Sequence, residues 1–223
     1  MKFDASMVGP TLQTTSATLR DGALRLLPAL VLATVSGVAS DAVIASAPSY
    51  FALGNLVYAV VQLAVQAWVI AIALAVLGHD LGGRSTWRLG SLFVLSLLAG
   101  LGILIGFLAL VLPGLYLAGR WFVAAPAMLV EGKSASEGLA RSGELMERYW
   151  LSASIVTLLF LVFRFAPLVI SGAYLEIGGG AFWAITIGSN LVSEAFGIAS
   201  IVASVVLYLT LARPTETAEE IFG

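Results

Sequence analysis

Six long apolar stretches, joined by connections too short to hold a domain, constrain this chain more than any motif does: Leu24–Ser46, Tyr50–Gly78, Ser91–Leu112, Leu115–Val130, Tyr149–Tyr174 and Ala181–Ala212. A hydrocarbon core about 30 Å thick is crossed by roughly 20 apolar residues in a helix, so each stretch is expected to span a membrane. The fourth is short, and Arg120 and Pro126 within it suit a helix packed inside a bundle. Composition decides what the solvent is. Only 11% of the residues are charged and 60% are hydrophobic, against about 25% charged in soluble domains. So few charges cannot cover a water-facing surface, and the solvent must be lipid. The expectation is an all-α polytopic membrane protein, with residues 1–223 forming a single six-helix transmembrane domain.

A secretory signal competes for the first stretch, because Ala45-Ser46-Ala47 resembles a cleavage site. The apolar run is too long, starts too far from the N-terminus and is interrupted by Asp41, so it is expected to stay as a span. The absence of cysteine excludes disulfides, thiolate metal sites and cysteine nucleophiles.

The connections alternate in charge. Ala47-Pro48-Ser49, Pro113-Gly114 and the loop from Glu176 to Gly180 carry no Lys or Arg. The opposite side holds Lys2, Arg20, Arg25, Arg84, Arg88, Lys133, Arg141, Arg148 and Arg213. The positive-inside rule then places this side and both termini in the cytoplasm. Each outward helix also follows a segment that begins at a serine: Ser16–Arg20, Ser85–Leu89 and Ser134–Glu137. These segments read as amphipathic helices at the cytoplasmic interface, and the chain as a three-hairpin pseudo-repeat.

The best-specified of them runs from Ser134 to Arg148. Ser134 and Glu137 have capping-box spacing, and Glu137–Arg141 and Glu144–Arg148 are i,i+4 pairs in the favourable order. Ala135, Leu139, Ser142, Met146 and Tyr149 share the opposite face. A continuous helix from Ala135 to at least Glu147 is expected in the interface, serving either as a connector that sets the angle of the fifth span or as a docking element.

Ionisable groups inside a membrane cost at least ~2.5–3.5 kcal/mol and should face inward with partners. Depth counted at about 1.5 Å per residue matches Asp41 with Arg120 and Arg164 with Glu194, and both are expected as ion pairs. Asn55, Tyr58, Gln62 and Gln66 form one stripe on the second span, and Thr186, Asn190 and Glu194 another on the sixth. The stripes are expected to point inward. They either enclose a substrate site among Asn55, Gln62, Gln66, Arg120, Arg164, Asn190 and Glu194, or supply interhelical hydrogen bonds alone. Gly102, Gly106, Ser189, Ser193 and Gly197 would let helix backbones approach closely.

Enzyme motifs are missing: His79 is the only histidine, and no phosphate-cradling loop, metal-spaced cluster or nucleophile elbow appears. No catalytic residue, cofactor, metal or nucleic-acid partner is expected. Two functions fit. One is a small transport or lipid-handling protein with a polar site inside the bundle. The other is a structural or accessory subunit that binds another membrane protein.

From Leu112 the chain reads Leu-Pro-Gly-Leu-Tyr-Leu-Ala-Gly-Arg-Trp-Phe-Val-Ala-Ala-Pro-Ala-Met-Leu-Val-Glu-Gly-Lys, then Ser134-Ala135-Ser136-Glu137-Gly138-Leu139-Ala140-Arg141-Ser142, ending at Tyr149-Trp150. This resembles the membrane-domain family associated with bacterial glycerophosphodiester phosphodiesterases, in a stand-alone form without the catalytic barrel. The resemblance makes Pro113, Gly114, Arg120, Pro126, Glu131, Arg141 and Ser142 the family positions. It implies a bacterial inner-membrane protein in contact with membrane lipids.

Overall fold

The computed structural model describes residues 8–46, 48–79, 85–173 and 180–212, with side chains for all of these but 44–46, 48, 161, 163–173 and 180–182. No strand occurs among the described residues. The helices are α1 (Val8–Asp21), α2 (Ala23–Ser46), α3 (Phe51–Val76), α4 (Leu89–Ala109), α5 (Val111–Arg120), α6 (Ala124–Glu131), α7 (Ala135–Leu145), α8 (Trp150–Ala173) and α9 (Gly180–Ala212). A single 3-10 turn, Pro48–Tyr50, joins α2 to α3. Long apolar helices make this a membrane-embedded protein. Among the described residues α2, α3, α4 and α9 each have the length and apolarity to cross a bilayer, and Trp150–Phe160 of α8 is a shorter apolar stretch.

The expected fourth span is not one helix. It breaks at Trp121–Val123 into α5, of 10 residues, and α6, of 8. Pro126 gives the reason: its ring collides with the carbonyl four residues earlier, that of Phe122, and it has no N–H to donate there. The helix must therefore stop upstream and restart, which leaves Pro126 in the first turn of α6, where no N–H is needed. Pro113 acts likewise on Ala109, where α4 ends, and Leu110 is extended.

The restarted helix is buried in the core. Every residue from Ala124 to Val130 is buried, in one apolar cluster with Val65, Val69, Ile70 and Leu74 of α3, Leu92 and Leu95 of α4, and Ile198, Val202 and Val205 of α9. Gly132 ends α6 in the left-handed conformation at φ 72°, a region glycine enters without a Cβ penalty. Ser134 then starts α7 with the expected capping box, its side chain accepting from Glu137 N–H while Glu137 Oε2 accepts from Ser134 N–H at 2.8 Å. The chain doubles back, so that α7 lies against α6: a Cβ on Gly138 would stand 2.7 Å from that of Met128.

Two details of α7 differ from expectation. The helix stops at Leu145, and Met146 to Tyr149 form a tight turn that buries Met146 completely. The i,i+4 pairs do not form either. Glu137 is committed to its cap, and Arg141 turns to Glu131 at 3.0 Å and Glu144 at 3.2 Å.

Hairpin partners pack closely: α2 with α3, α4 with α5 and α8 with α9. The repeat is incomplete beyond that. Helices α1 and α7 precede α2 and α8, but no helix forms at Ser85–Arg88, where Ser85 Oγ instead accepts from Trp87 N–H at 3.0 Å. The glycines do serve close approach, since a Cβ on Gly106 would stand 2.8 Å from the Gly114 Cα.

Candidate polar site in the membrane interior

Three helices bring the polar stripes together. On α3, Tyr58 and Gln62 are four residues apart and share a face. On α9, Thr186, Asn190 and Glu194 do the same. Glu194 is only 2% exposed. Its Oε1 accepts from Tyr58 OH at 2.6 Å and from Gln62 Nε2 at 3.0 Å. One turn away, Asn190 Nδ2 donates to Asp41 Oδ2 of α2 at 2.8 Å and to its own Thr186 carbonyl at 3.0 Å. The contact is close because α2 presents Gly37 there. A Cβ at Gly37 would collide with the Asn190 amide and touch Tyr58. The result is a polar ladder, Asp41–Asn190 and then Glu194–Tyr58–Gln62, across α2, α9 and α3.

Other candidates fall elsewhere. Asn55 donates to the Phe51 carbonyl of its own helix at 2.9 Å. Gln66 is half-buried and takes no part in the ladder. Asp41 and Arg120 are not partners: Asp41 holds Asn190, and the Arg120 guanidinium donates to the Tyr116 hydroxyl and lies over that ring, 5.7 Å from its centroid. Depth counting places Arg120 near the outer end of an unbroken fourth span. The break at Trp121 instead sets it beside α7, where its carbonyl accepts from Ser142 Oγ at 2.9 Å and Gly143 covers its Nε. The Arg164 side chain, and with it the expected pair with Glu194, lies outside the described residues.

A second polar cluster sits where α6, α7 and α9 meet. Glu131 Oε1 accepts from Arg141 Nε at 3.0 Å and from Tyr208 OH at 3.2 Å, while Lys133 Nζ lies 3.4 Å from Oε2. Partial burial disfavours the Glu131 charge, but the hydrogen bond and charge of Arg141 and the bond from Lys133 outweigh it, and its carboxyl is held below the usual 4.5. This cluster ties the helices together.

Sequence reasoning puts Tyr58 in the α3 stripe but leaves it out of the candidate site, although its hydroxyl donates to Glu194 at 2.6 Å. Its four-residue spacing from Gln62 is the available signal. Gly37 escapes sequence reasoning altogether, being one small residue in an apolar run. No family model matches the chain, and no match was found among curated proteins or solved structures.

Proposed function

We propose that this is a non-enzymatic transport or lipid-handling protein of the bacterial inner membrane, related to the phosphodiesterase-associated membrane domains, with Glu194 as its protonatable group. The observation that supports the reading is a carboxylate 2% exposed on a helix of 33 residues, gathered with Tyr58, Gln62, Asn190 and Asp41 into one ladder. An ionisable group this deep in an apolar bundle is costly, and such groups mark ion and substrate pathways. Tyr58 and Gln62 both donate to Glu194 Oε1. Protonation would change that pattern, because the acid becomes a donor itself. Gain and loss of a proton at Glu194 would thereby rearrange the contact between α3 and α9, the kind of two-state element that coupling requires.

The test uses proteoliposomes that enclose a pH-sensitive dye under a clamped membrane potential. The wild type should dissipate an imposed pH gradient faster than empty vesicles, and Glu194→Gln should remove the difference while the purified variant remains folded. Equal rates for wild type, variant and empty vesicles would defeat the proposal.

A further inference from the structure

We propose that the α4–α5 hairpin enters the bilayer from the side of Arg88 and Lys133, turns within the hydrocarbon and leaves by the same side. Its tip would be seated among the acyl chains of one leaflet. This departs from a full crossing, which the length of α4 alone would permit.

The argument starts from relative heights. Helix α8 has 24 residues, about 36 Å at the usual helical rise and enough to cross a bilayer. Helix α5 runs antiparallel beside its beginning. A Cβ on Gly119 would lie against Ser154 and 2.6 Å from the Trp150 carbonyl, and Ser154 Oγ donates to the Leu115 carbonyl at 3.0 Å. The turn Leu115–Gly119 of α5 is thus level with the turn Trp150–Ser154 of α8. Continuing antiparallel brings Val111, the first residue of α5, level with the turn between Leu158 and Val162. From there α8 continues to Ala173, roughly another 16–22 Å. The turn between α4 and α5 therefore stands in the middle of the layer that α8 crosses.

Chemistry agrees at both ends of the hairpin. Between Arg88 and Arg120 there is no charged residue, and from Leu97 to Leu115 there is no polar side chain at all. The tip is the most exposed part of the hairpin, with Leu108 78%, Leu110 70% and Leu112 77% exposed. A turn in water would gain nothing from such residues, and the connection between α2 and α3 does carry Ser49 and Tyr50. Charge and amphipathic rings lie away from the tip at two levels, Arg88 a whole α4 length from it, about 31 Å, and Arg120 an α5 length, about 15 Å. Arg88 donates to the Lys133 carbonyl at 3.0 Å, and Arg120 bonds Tyr116, whose ring meets Trp150 edge-on at 4.9 Å between centroids. Tyr and Trp favour the depth of the lipid headgroups. Were α4 to cross completely, Arg120 would lie near the bilayer centre, where a charge is expensive, and half of α8 would project into water.

The chain has no cysteine, so a single one can be placed at Leu110 and labelled with an environment-sensitive fluorophore in vesicles that contain nitroxide lipids. Quenching should be stronger from a nitroxide deep in the acyl chain than from one near the headgroup. The unlabelled thiol should resist a membrane-impermeant maleimide added to either face. Cysteine at Ser49 should react from one face and cysteine at Ser136 from the other. Reaction of the Leu110→Cys thiol from the Ser49 face would mean that the hairpin crosses, and reaction from the Ser136 face that it stays in water. A disulfide between two Leu110→Cys chains without lipid quenching would mean that a second copy covers the tip. Each of these three results would overturn the proposal.

Discussion

The Glu194 carboxylate stays in an apolar bundle because neighbouring helices bring it donors, and that gives each donor a measurable value. A hydrogen bond to a charged group contributes about 1.5–3 kcal/mol, more than one between neutral groups. Tyr58→Phe removes only the hydroxyl that sits 2.6 Å from Oε1, so it should lower stability by an amount in that range. Glu194→Gln should also destabilise, yet the Tyr58→Phe/Glu194→Gln double variant should lose less than the two single losses combined. Thermal unfolding of the four proteins in detergent measures the coupling. Strict additivity would mean that the two side chains act independently, and the polar ladder would lose its energetic basis. Much of this ladder is legible in the sequence, because polar residues three or four apart on an apolar helix must share a face and must turn away from lipid. Which residue each would meet is not legible. The stripe fixes the face of a helix but not its neighbour, so depth can match Asp41 to Arg120 while the fold gives it Asn190.

At the level of the element, prolines and caps determine where helices end. Gly132 and Ser134 announce the α6–α7 turn in the sequence, and the capping box forms as its spacing requires. The break at Trp121 is harder to see, because a proline early in one helix also terminates the helix before it. That break moves Arg120 away from the outer end of a span and puts Glu131 within reach of α7 and α9. The Glu131 cluster then gives the junction a pH dependence of definite sign. Arg141 and Lys133 hold the Glu131 carboxyl below its usual 4.5 despite the cost of burial, and the Ser134 cap does the same for Glu137. A depressed carboxyl contributes stability that is present above its unfolded value and is lost as pH falls through the folded one. Stability should therefore hold at neutral pH and fall on acidification below about pH 4.5. Glu131→Gln should cost about 1–3 kcal/mol at pH 7 and flatten part of the acid limb. Thermal unfolding between pH 3 and 7 checks it. An acid limb unchanged by the substitution would show that Arg141 and Lys133 do not act through this carboxylate.

For the molecule as a whole, the expected orientation rests on where the charges lie in the sequence, and that expectation does not depend on the helix count. If α4 and α5 crossed, the chain would make six passes. If they turn back within one leaflet it makes four, and in both cases the two termini share a side. Nine of the 11 Lys and Arg residues fall, by sequence, in the termini and connections expected on that side, while the connection at Ser49 has none. Moving so many basic groups to the outer face would oppose the strongest topological signal a membrane sequence carries. Single cysteines at Ser49 and Ser136, both exposed, can be treated with a membrane-impermeant thiol reagent on intact cells. Ser49→Cys should label and Ser136→Cys should label only after the cells are opened. Labelling of Ser136→Cys in sealed cells would reverse the orientation and place the Glu131–Arg141 junction outside. Because the two positions flank different hairpins, the pair of results also tests whether the α2–α3 and α6–α7 turns sit at opposite ends of the bundle, as the charge pattern demands.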